Sequence, residues 1–557
     1  MTQAVLFEGG SVFSAGFERS IRSDLLVVDG RIVAVGTAAE LVERLRAEHP
    51  GAGLERVDLG GGLLLPGFQD AHVHPVPAGV EMLQCDLSEA ESAGEALAVV
   101  RAYAEGLGPV GAGARTSAGG RSGSGSGSGS GDWVLGGGWT MDHFAGGTPT
   151  AAALDTVTGD RPAFLLSRDH HSAWVNSAAL RLAGLSAATP APADGAIERL
   201  ADGTPSGTLH EGAMGLIDAV KPAPDAELVQ RGLLAAQTHL LSLGITGWQD
   251  ALVGAGLGFV DALPHYLRAV REGSLVARVT AALWWERTEG LEQVPRLLAR
   301  RAEAAALGRP ELFTADTVKM MLDGIVENRT ASIHGHYHGG GNGLDFVDPA
   351  ALADFVARLD AEGFAVHLHA LGDRAVSQAL DALAHAASVN GRASGTLTRH
   401  QLAHLQLVAE ADLARFAPLG AIANLQAFWA RTDDQLRDLC LPILPPDALG
   451  RTYPFGRLAR AGAPLAFGSD WPVSTADPLA AVQVAVTRTG FGAEPEPLGG
   501  TVDRLDLATA LAGYTVGSAH AGGRGGSTGR LEPGFHADLA VLDRDPFAGP
   551  VEDIAEA

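Results

Sequence analysis

The segment FQDAHVH at 68–74 contains two histidines separated by a single residue. Residues two apart on a β-strand face the same side, so His72 and His74 are able to bind one metal ion together. Neutral imidazole is a common ligand of zinc. A His-x-His pair alone is more often two surface or core residues, but these two follow the run LLLPGFQDA at a predicted strand end. We therefore predict a metal site that includes His72 and His74.

Two further segments supply histidines of the same kind. In VHLHALGD at 366–373, strand alternation places His367 and His369 on one face. We predict that His369, at the strand end, binds metal and that His367 supports the site or contacts substrate. A hydrogen-bonded interior histidine is an equal alternative for His367. In RHQLAHLQLV at 399–408, His404 is the candidate ligand, and His400 competes with it if the segment is helical.

A carboxylate and an ammonium complete the candidate set. Asp470 ends the apolar strand of FGSDWP at 467–472, where it could bind metal and accept a proton from water, or simply cap a turn. Lys319 lies in the apolar segment DTVKMMLDG at 316–324, and burying its charge is unfavourable. Its neutral amine could take up carbon dioxide and form a carbamate that bridges two metal ions. Spacing alone favours the alternative, an ion pair of Lys319 with Asp323 or Glu327.

Eight strand-like segments position these residues. They are Phe68–His74, Ile245–Asp250, Ala277–Trp284, Thr317–Asp323, Ala365–His369, His400–Gln406, Ala421–Leu425 and Leu465–Asp470. Stretches with helical spacing lie between most of them, which predicts an α/β fold, a (β/α)8 TIM-like barrel. Several candidate ligands follow the carboxyl ends of these strands, which is the face where such barrels carry their chemistry.

Both ends of the chain are rich in β signals. Residues 1–65 contain the hairpin pattern VVDG–RIVAVG, and HADLAVLDRD lies at 536–545. We predict a small β-sandwich domain built from 1–65 and 525–557, beside a barrel domain at 66–524. The interval of about 75–240 is too long for one crossover and predicts an insertion that caps the barrel mouth. Its SGSGSGSGSG tract at 122–131 has the composition of a linker.

The composition argues against several classes of partner. The net charge of −25 repels phosphate backbones and anionic lipid, which disfavours nucleic acid and membrane surfaces. No apolar run reaches the roughly 18 residues that span a bilayer, and the first residues lack a signal-peptide pattern. The two cysteines cannot supply a disulfide framework. We expect a cytoplasmic protein that acts on a small molecule, and a homo-oligomer is compatible with the sequence.

Taken together, the motifs resemble the amidohydrolase superfamily, and most closely its branch similar to N-substituted formamide deformylases. The resemblance rests on LLLPGFQDAHVH, SRDHHSAWVNSAAL, GITGWQD, KMMLDG, HLHALGDRAV, FGSDWPV and GRLEPGFHADLAVLD, which together cover nearly the whole chain. It implies a divalent metal, expected to be zinc, with one or two ions per chain. The ligands that it implies are His72, His74, His369, His404 and Asp470, with a carboxylated Lys319 as a bridge. Relatives usually continue past DRDPF, so we expect the small sheet to be incomplete.

The resemblance also implies a reaction, the hydrolysis of a carbon–nitrogen bond other than a peptide bond. Divalent metals lower the pKa of water from about 16 to about 7, which supplies hydroxide at neutral pH. We expect Asp470 to take the proton and pass it to the leaving amine, and we count His404 with it as catalytic. Ester or carbon–halogen hydrolysis, isomerisation and a non-catalytic binding role are the alternatives. The residues predicted to contact substrate are Trp139, Asp142, His171, Asn176, Arg329 and His367.

Overall fold

A computed structural model of the protein describes residues 2–108, 133–192, 194–256, 259–491 and 496–557. The Ser-Gly tract at 122–131 lies outside the described residues. The strands are β1 (Gln3–Glu8), β2 (Ser11–Val12), β3 (Ile21–Arg22), β4 (Asp24–Val28), β5 (Arg31–Gly36), β6 (Gly53–Asp58), β7 (Leu63–Pro66), β8 (Phe68–Val73), β9 (Cys85–Asp86), β10 (Val134–Trp139), β11 (Ala163–Ser167), β12 (Ser172–Val175), β13 (Gly195–Arg199), β14 (Pro205–Glu211), β15 (Ile245–Val253), β16 (Arg278–Trp284), β17 (Phe313–Met321), β18 (Ala365–Ala370), β19 (Gln401–His404), β20 (Ile422–Leu425), β21 (Leu465–Phe467) and β22 (Leu539–Leu542).

The α-helices alternate with these strands through the second half of the chain. They are α1 (Ala38–Glu48), α2 (Pro75–Met82), α3 (Ala93–Gly106), α4 (Ala151–Thr158), α5 (Ser177–Leu182), α6 (Gly215–Asp218), α7 (Ala226–Ser242), α8 (Leu263–Glu272), α9 (Val294–Ala305), α10 (Pro349–Ala361), α11 (Asp373–Val389), α12 (Glu410–Leu413), α13 (Phe416–Leu419), α14 (Phe455–Arg460), α15 (Pro478–Thr487), α16 (Leu507–Ala512) and α17 (Ser518–Ala521). In α11, the buried positions Val376, Ala379, Leu380 and Leu383 recur at three- and four-residue spacing, so one face of the helix packs on the sheet.

Eight parallel strands form the central sheet, in the order β8, β15, β16, β17, β18, β19, β20 and β21. The last strand meets the first, because the backbone N–H of Asp470 donates to the carbonyl of His72 at 2.7 Å. All eight predicted barrel strands are confirmed, with shifted ends. The largest shift is at β17, which begins at Phe313 and ends at Met321, where the sequence predicted 317–323.

Polar side chains fill part of the barrel interior. The amide Nε2 of Gln401 donates to Gln249 Oε1 at 3.0 Å, and Asn424 Nδ2 donates to Gln401 Oε1 at 2.7 Å. Gln249 and Asn424 each also donate to the carbonyl of Ala71 at 3.0 Å. Because buried polar groups are stable only when hydrogen-bonded, this chain of amides holds four barrel strands in a defined register beneath the candidate ligands.

Strands from both ends of the chain share one small sheet. β22 pairs antiparallel with β7 and brings Val541 opposite Leu64, in a sheet of order β22-β7-β2-β3. A second sheet has the order β5-β4-β1-β6. Leu25, Leu64 and Leu531 are buried together where the two sheets face each other. The predicted fold class, a barrel with a small β domain, is therefore confirmed, while the exact domain bounds stay a prediction.

The long insertion between β8 and β15 contains a six-stranded sheet of its own, in the order β13-β14-β12-β11-β10-β9. Helices α2 and α7 flank this insertion and cross closely. A Cβ at Gly79 would lie 1.9 Å from the carbonyl oxygen of Gly232, so only glycine fits at this crossing. The insertion is thereby fixed close to His74, which immediately precedes α2. Within the part of the chain that the structure describes, no helix is both long and apolar enough to cross a membrane.

Candidate metal centre

The first barrel strand aims two imidazoles at one carboxylate. Nε2 of His74 lies 3.0 Å from Asp470 Oδ1, and Nε2 of His72 lies 3.3 Å from the same oxygen. The alternation of β8 places both rings on the inner face, as the sequence predicted. His72 and Asp470 are almost fully buried, so water does not screen their interaction.

The sixth and eighth strands close the centre. The ligand atoms of His72, His404 and Asp470 all lie within 4.8 Å of one another. His404 and Asp470 both adopt left-handed backbone conformations, with φ of 79° and 56°. A residue with a side chain rarely takes this conformation, and such strain clusters at functional sites. The rings of His404 and Trp429 stack with centroids 5.3 Å apart, which holds the imidazole in place.

Lys319 reaches the same centre from the fourth strand. Its Nζ lies 3.3 Å from His72 Nε2. The predicted alternative, an ion pair with Asp323 or Glu327, is not formed. Asp323 accepts backbone N–H groups of Ser332, Leu371 and Gly372, and Glu327 accepts from the amide of Gln435 at 2.7 Å. Burial lowers the pKa of Lys319 to about 7, so a large share of this amine is neutral near neutral pH.

The imidazoles of the centre are held neutral. Burial, with a further contribution from the ammonium of Lys319, lowers the pKa of His72 and His369 well below its ordinary value. Burial and neighbouring His369 do the same to the pKa of His404. Burial also lowers the pKa of His74, against the opposing effect of Asp470. Because only neutral imidazole can donate a lone pair, the rings are in the state that metal binding requires.

Several buried nitrogens of the centre lack a hydrogen-bond partner among the described residues. Among the described residues, neither ring nitrogen of His404 forms a hydrogen bond, and Nδ1 of His74 forms none. Leaving a buried polar atom unsatisfied is unfavourable by about 1–3 kcal/mol, and such atoms in native proteins call for an explanation. A divalent cation accepts lone pairs from imidazole and carboxylate together. The residues present therefore fit a metal ion.

His367 lies behind the centre rather than at its surface. Its Nε2 is 2.8 Å from Nδ1 of His72, and its Nδ1 is held by the amide of Gln249. The side chain is fully buried in the barrel. His367 is therefore a hydrogen-bonded interior histidine that contacts His72 and does not line the cavity at the candidate ligands, so the structure does not support the predicted substrate contact. His369 lies two residues further along β18, and its Nε2 is 3.3 Å from the carbonyl oxygen of Gly324.

Two adjoining cavities open above the centre. The first, of about 60 Å³, is lined by residues that include His72, His74, His171, Lys319, His369, His404 and Asp470. The second, of about 330 Å³, is lined by residues that include Thr140, Asp142, Arg168, Glu327, Phe428, Arg431 and Tyr453. Asp169 and Trp429 line both cavities. A small chamber at the candidate ligands thus continues into a larger, polar and aromatic one.

Some of the residues predicted to contact substrate line a cavity, and others do not. His171 lines the small cavity and Asp142 the large one. Trp139 is buried inside the insertion, where its Nε1 donates to the carbonyl of Leu165 at 2.9 Å. Asn176 caps α5, and its Nδ2 donates hydrogen bonds to Thr158 Oγ1 and to the carbonyl of Arg161. Arg329 is exposed and lines neither cavity. The structure thus gives Trp139 and Asn176 packing roles.

Two buried carboxylates were missed from the sequence. Asp70 accepts from the hydroxyl of Ser469 at 2.6 Å and from the backbone N–H of His72 at 3.0 Å. Its position two residues before His72 was a signal, since alternation places both on one face. Glu211 contacts Nδ1 of His171 at 2.7 Å. No spacing connects Glu211 and His171 in the sequence, because their pairing depends on the sheet of the insertion.

Comparisons with known proteins bear on the family and on the fold. The family model described as "Amidohydrolase family" matches residues 55–557. Protein LONG AFTER FAR-RED 3 of Arabidopsis thaliana is 27% identical over 99% of this chain and 89% of its own length. An N-substituted formamide deformylase of Arthrobacter pascens is 28% identical over 98% of this chain and 95% of its own length. A metal-dependent hydrolase from Pyrococcus horikoshii OT3 has the same fold, with a TM-score of 0.72 at 24% identity over 99% of both chains.

Proposed function

Because this chain belongs to the amidohydrolase family, we propose that it is a zinc-dependent hydrolase that cleaves the carbon–nitrogen bond of an amide or N-substituted formamide. The observation that carries the proposal is the convergence of His72, His404 and Asp470, whose ligand atoms lie within 4.8 Å of one another. These three residues come from strands separated by almost four hundred positions, and the ring nitrogens of His404 form no hydrogen bond with any described residue.

The metal would be held by His72, His74, His369, His404 and Asp470. A divalent ion in this position supplies water activation at neutral pH and polarises a carbonyl group. We propose that Lys319 is carboxylated, since its pKa of about 7 leaves much of the amine free to add carbon dioxide and release a proton. The carbamate adds a negative charge among the neutral imidazoles, which favours retention of a second cation.

We propose that Asp470 moves the proton in this reaction. Its carboxylate borders the small cavity, and its Oδ1 lies between His72 and His74. It accepts a proton as water adds to the carbonyl carbon and returns that proton to the nitrogen as the carbon–nitrogen bond breaks. The products are then a carboxylic acid and a free amine. His404, stacked on Trp429, borders the small cavity in which the carbonyl would react.

The sizes of the cavities support a formamide or another small acyl group. The chamber at the candidate ligands has a volume of about 60 Å³, which suits a compact acyl group such as formyl. The adjoining chamber of about 330 Å³ has room for the substituent on nitrogen. The relative from Arthrobacter pascens that is 28% identical is named an N-substituted formamide deformylase, which is consistent with this division.

The test combines metal analysis with a substrate panel. Purified protein is analysed for zinc per chain, and turnover is measured on N-alkyl and N-aryl formamides, longer amides and esters. We expect one or two zinc ions per chain and fastest release of amine from formamides. Asp470→Asn should lose turnover, whereas Asp354→Asn, at an exposed carboxylate, should retain it. Bound zinc with turnover of esters but no amide would reject the proposed bond specificity.

A further inference from the structure

The insertion contributes its own charged pair to the chamber at the candidate ligands. We propose that His171 donates a hydrogen bond from Nε2 to the carbonyl oxygen of the substrate as negative charge develops there, and that Glu211 is the positioning residue that holds its ring. The inference rests on the proposed hydrolysis of a carbonyl compound. It extends that proposal by assigning part of the reaction to the insertion rather than to the barrel.

The sheet of the insertion brings the two residues together. His171 immediately precedes β12, and Glu211 is the last residue of β14. These strands pair antiparallel with Ser172 opposite His210, so their ends meet. The backbone N–H of Glu211 donates to the carbonyl of His171 at 3.0 Å, and Nδ1 of His171 lies 2.7 Å from Glu211 Oε1. Backbone and side chains therefore join the same two residues.

Glu211 is fixed from the barrel side as well. Asn328 Nδ2 donates to Glu211 Oε1 at 3.0 Å, and Thr330 Oγ1 donates to the same oxygen at 3.3 Å. Both donors follow β17, the strand of Lys319. Glu211 also has a left-handed φ of 50°, a strained conformation of the kind found at functional sites. A carboxylate held this firmly fixes the ring that it contacts.

The free edge of His171 is available to the chamber. Its Nδ1 is occupied by Glu211, and Nε2 makes no hydrogen bond with any residue that the structure describes. The ring borders the small cavity, and its centroid lies 5.8 Å from that of His369. A carbonyl compound that enters this chamber meets the candidate ligands on one side and His171 on the other.

The charge of the pair suits this role. Burial alone lowers the pKa of His171, but the carboxylate of Glu211 outweighs burial and raises it to about 9. The pKa of Glu211 is lowered by the same partner, although burial opposes the change. The carboxylate of Glu211 therefore favours the protonated form of the ring, in which Nε2 carries a proton. Donors that are already in place where charge develops contribute strongly to rate, because no reorganisation is needed.

The chain offers a matched control in the same sheet. His210 lies on β14 next to Glu211, contacts Ser172 Oγ at 2.8 Å, and has Glu198 Oε1 at 3.3 Å from its Nε2. It is a buried histidine with a carboxylate partner, like His171, but it lines neither cavity. The variants are His171→Asn, Glu211→Gln, the double variant and His210→Asn, all studied as zinc-loaded, full-length protein.

The kinetic test uses whichever carbonyl compound the wild-type protein hydrolyses. We expect His171→Asn to lower kcat by about 100-fold with little change in KM, as loss of an oxyanion donor does. Glu211→Gln should lower kcat by at least about tenfold. The double variant should be no slower than His171→Asn, because Glu211 acts through His171. The proposal is overturned if the losses of kcat in the two single variants multiply in the double variant. It is also overturned if His171→Asn keeps the wild-type kcat.

A binding test separates this inference from the proposed function. Inorganic phosphate, a tetrahedral anion, is titrated calorimetrically into each zinc-loaded protein. We expect about tenfold weaker binding in His171→Asn and unchanged binding in His210→Asn. The role of His171 is overturned if wild-type and His171→Asn protein bind phosphate equally. It is likewise overturned if neither protein binds phosphate detectably. Absence of all carbonyl turnover rejects the proposed function, and the phosphate titration still decides the inference.

Discussion

Ser469 and Asp70 join the last strand of the barrel to the first. The hydroxyl of Ser469 donates to Asp70 Oδ2 at 2.6 Å, and its backbone N–H donates to Oδ1 at 3.1 Å. Burial raises the pKa of Asp70 to about 7, although these donors favour its charged form. His72 lies two residues after Asp70, and Asp470 directly follows Ser469. The seam of the barrel, where its last strand meets its first, therefore adjoins the candidate metal centre in the sequence.

Removing the hydroxyl should weaken that seam. Ser469→Ala deprives Asp70 of its shortest hydrogen bond and deprives the backbone N–H of Trp471 of its acceptor. We expect the free energy of unfolding to fall by about 1–3 kcal/mol, the usual effect of leaving buried polar groups unsatisfied. Chemical denaturation measures the change. Ser388→Ala, at an exposed position of α11, serves as the control, and an equal effect in both variants would argue against a role for the seam.

The crossing of α2 and α7 should tolerate no side chain. Gly79→Ala places a methyl group 1.9 Å from the carbonyl oxygen of Gly232, so the helices must separate. We expect destabilisation of about 1–3 kcal/mol, as for other overpacked sites. Gly106→Ala in α3 is the matched control, since no residue that the structure describes lies within 4 Å of its added methyl group. That control should be neutral or stabilising, because alanine favours helix, and thermal unfolding of the two variants tests the contrast.

His367 should affect metal affinity without being a ligand. It contacts His72 and Gln249, so His367→Asn leaves His72 free to turn. We expect zinc affinity to fall by about 10–100-fold, the usual range for residues that orient a metal ligand. Competition with a chelating dye measures the affinity, and His265→Asn, at a partly buried helical position away from the centre, is the control. Unchanged zinc affinity in His367→Asn would exclude the orienting role.

Lys319 should make the stability of the metal-free protein depend on pH. Its pKa is about 7 in the folded protein, because burial opposes the charge, and about 10.4 in the unfolded chain. Between these values the unfolded state holds a proton that the folded state lacks. The free energy of unfolding therefore rises with pH across this window, by at most about 1.4 kcal/mol per pH unit from this group.

The variant Lys319→Met removes that titration. Compared with wild-type protein in the presence of a chelator, its unfolding free energy should be higher near pH 7, and the difference should shrink toward pH 10. Denaturation curves at four pH values between 7 and 10 measure the difference. A constant difference between variant and wild type would show that Lys319 does not titrate in this range.

Most of the barrel could be predicted from the sequence because its signals are local. Apolar runs interrupted by glycine and followed by helical spacing identify all eight strands, and alternation along β8 places His72 and His74 on one face. The same rule could not separate His367 from His369. Both side chains face the barrel interior, but they lie about 6.6 Å apart along the strand. Only the closed barrel shows which of the two positions borders the cavity.

The sequence by itself therefore determined the barrel strands, the histidines and the carboxylate at their ends, and the small sheet built from both ends of the chain. Each of these depends on local periodicity or on a short motif. The tertiary structure alone decided that Trp139 and Asn176 serve packing, that Lys319 pairs with neither Asp323 nor Glu327, and that Glu211 holds His171. These outcomes depend on hydrogen bonds between distant segments, and the free energy of a buried polar group is set by the partner that the fold brings to it.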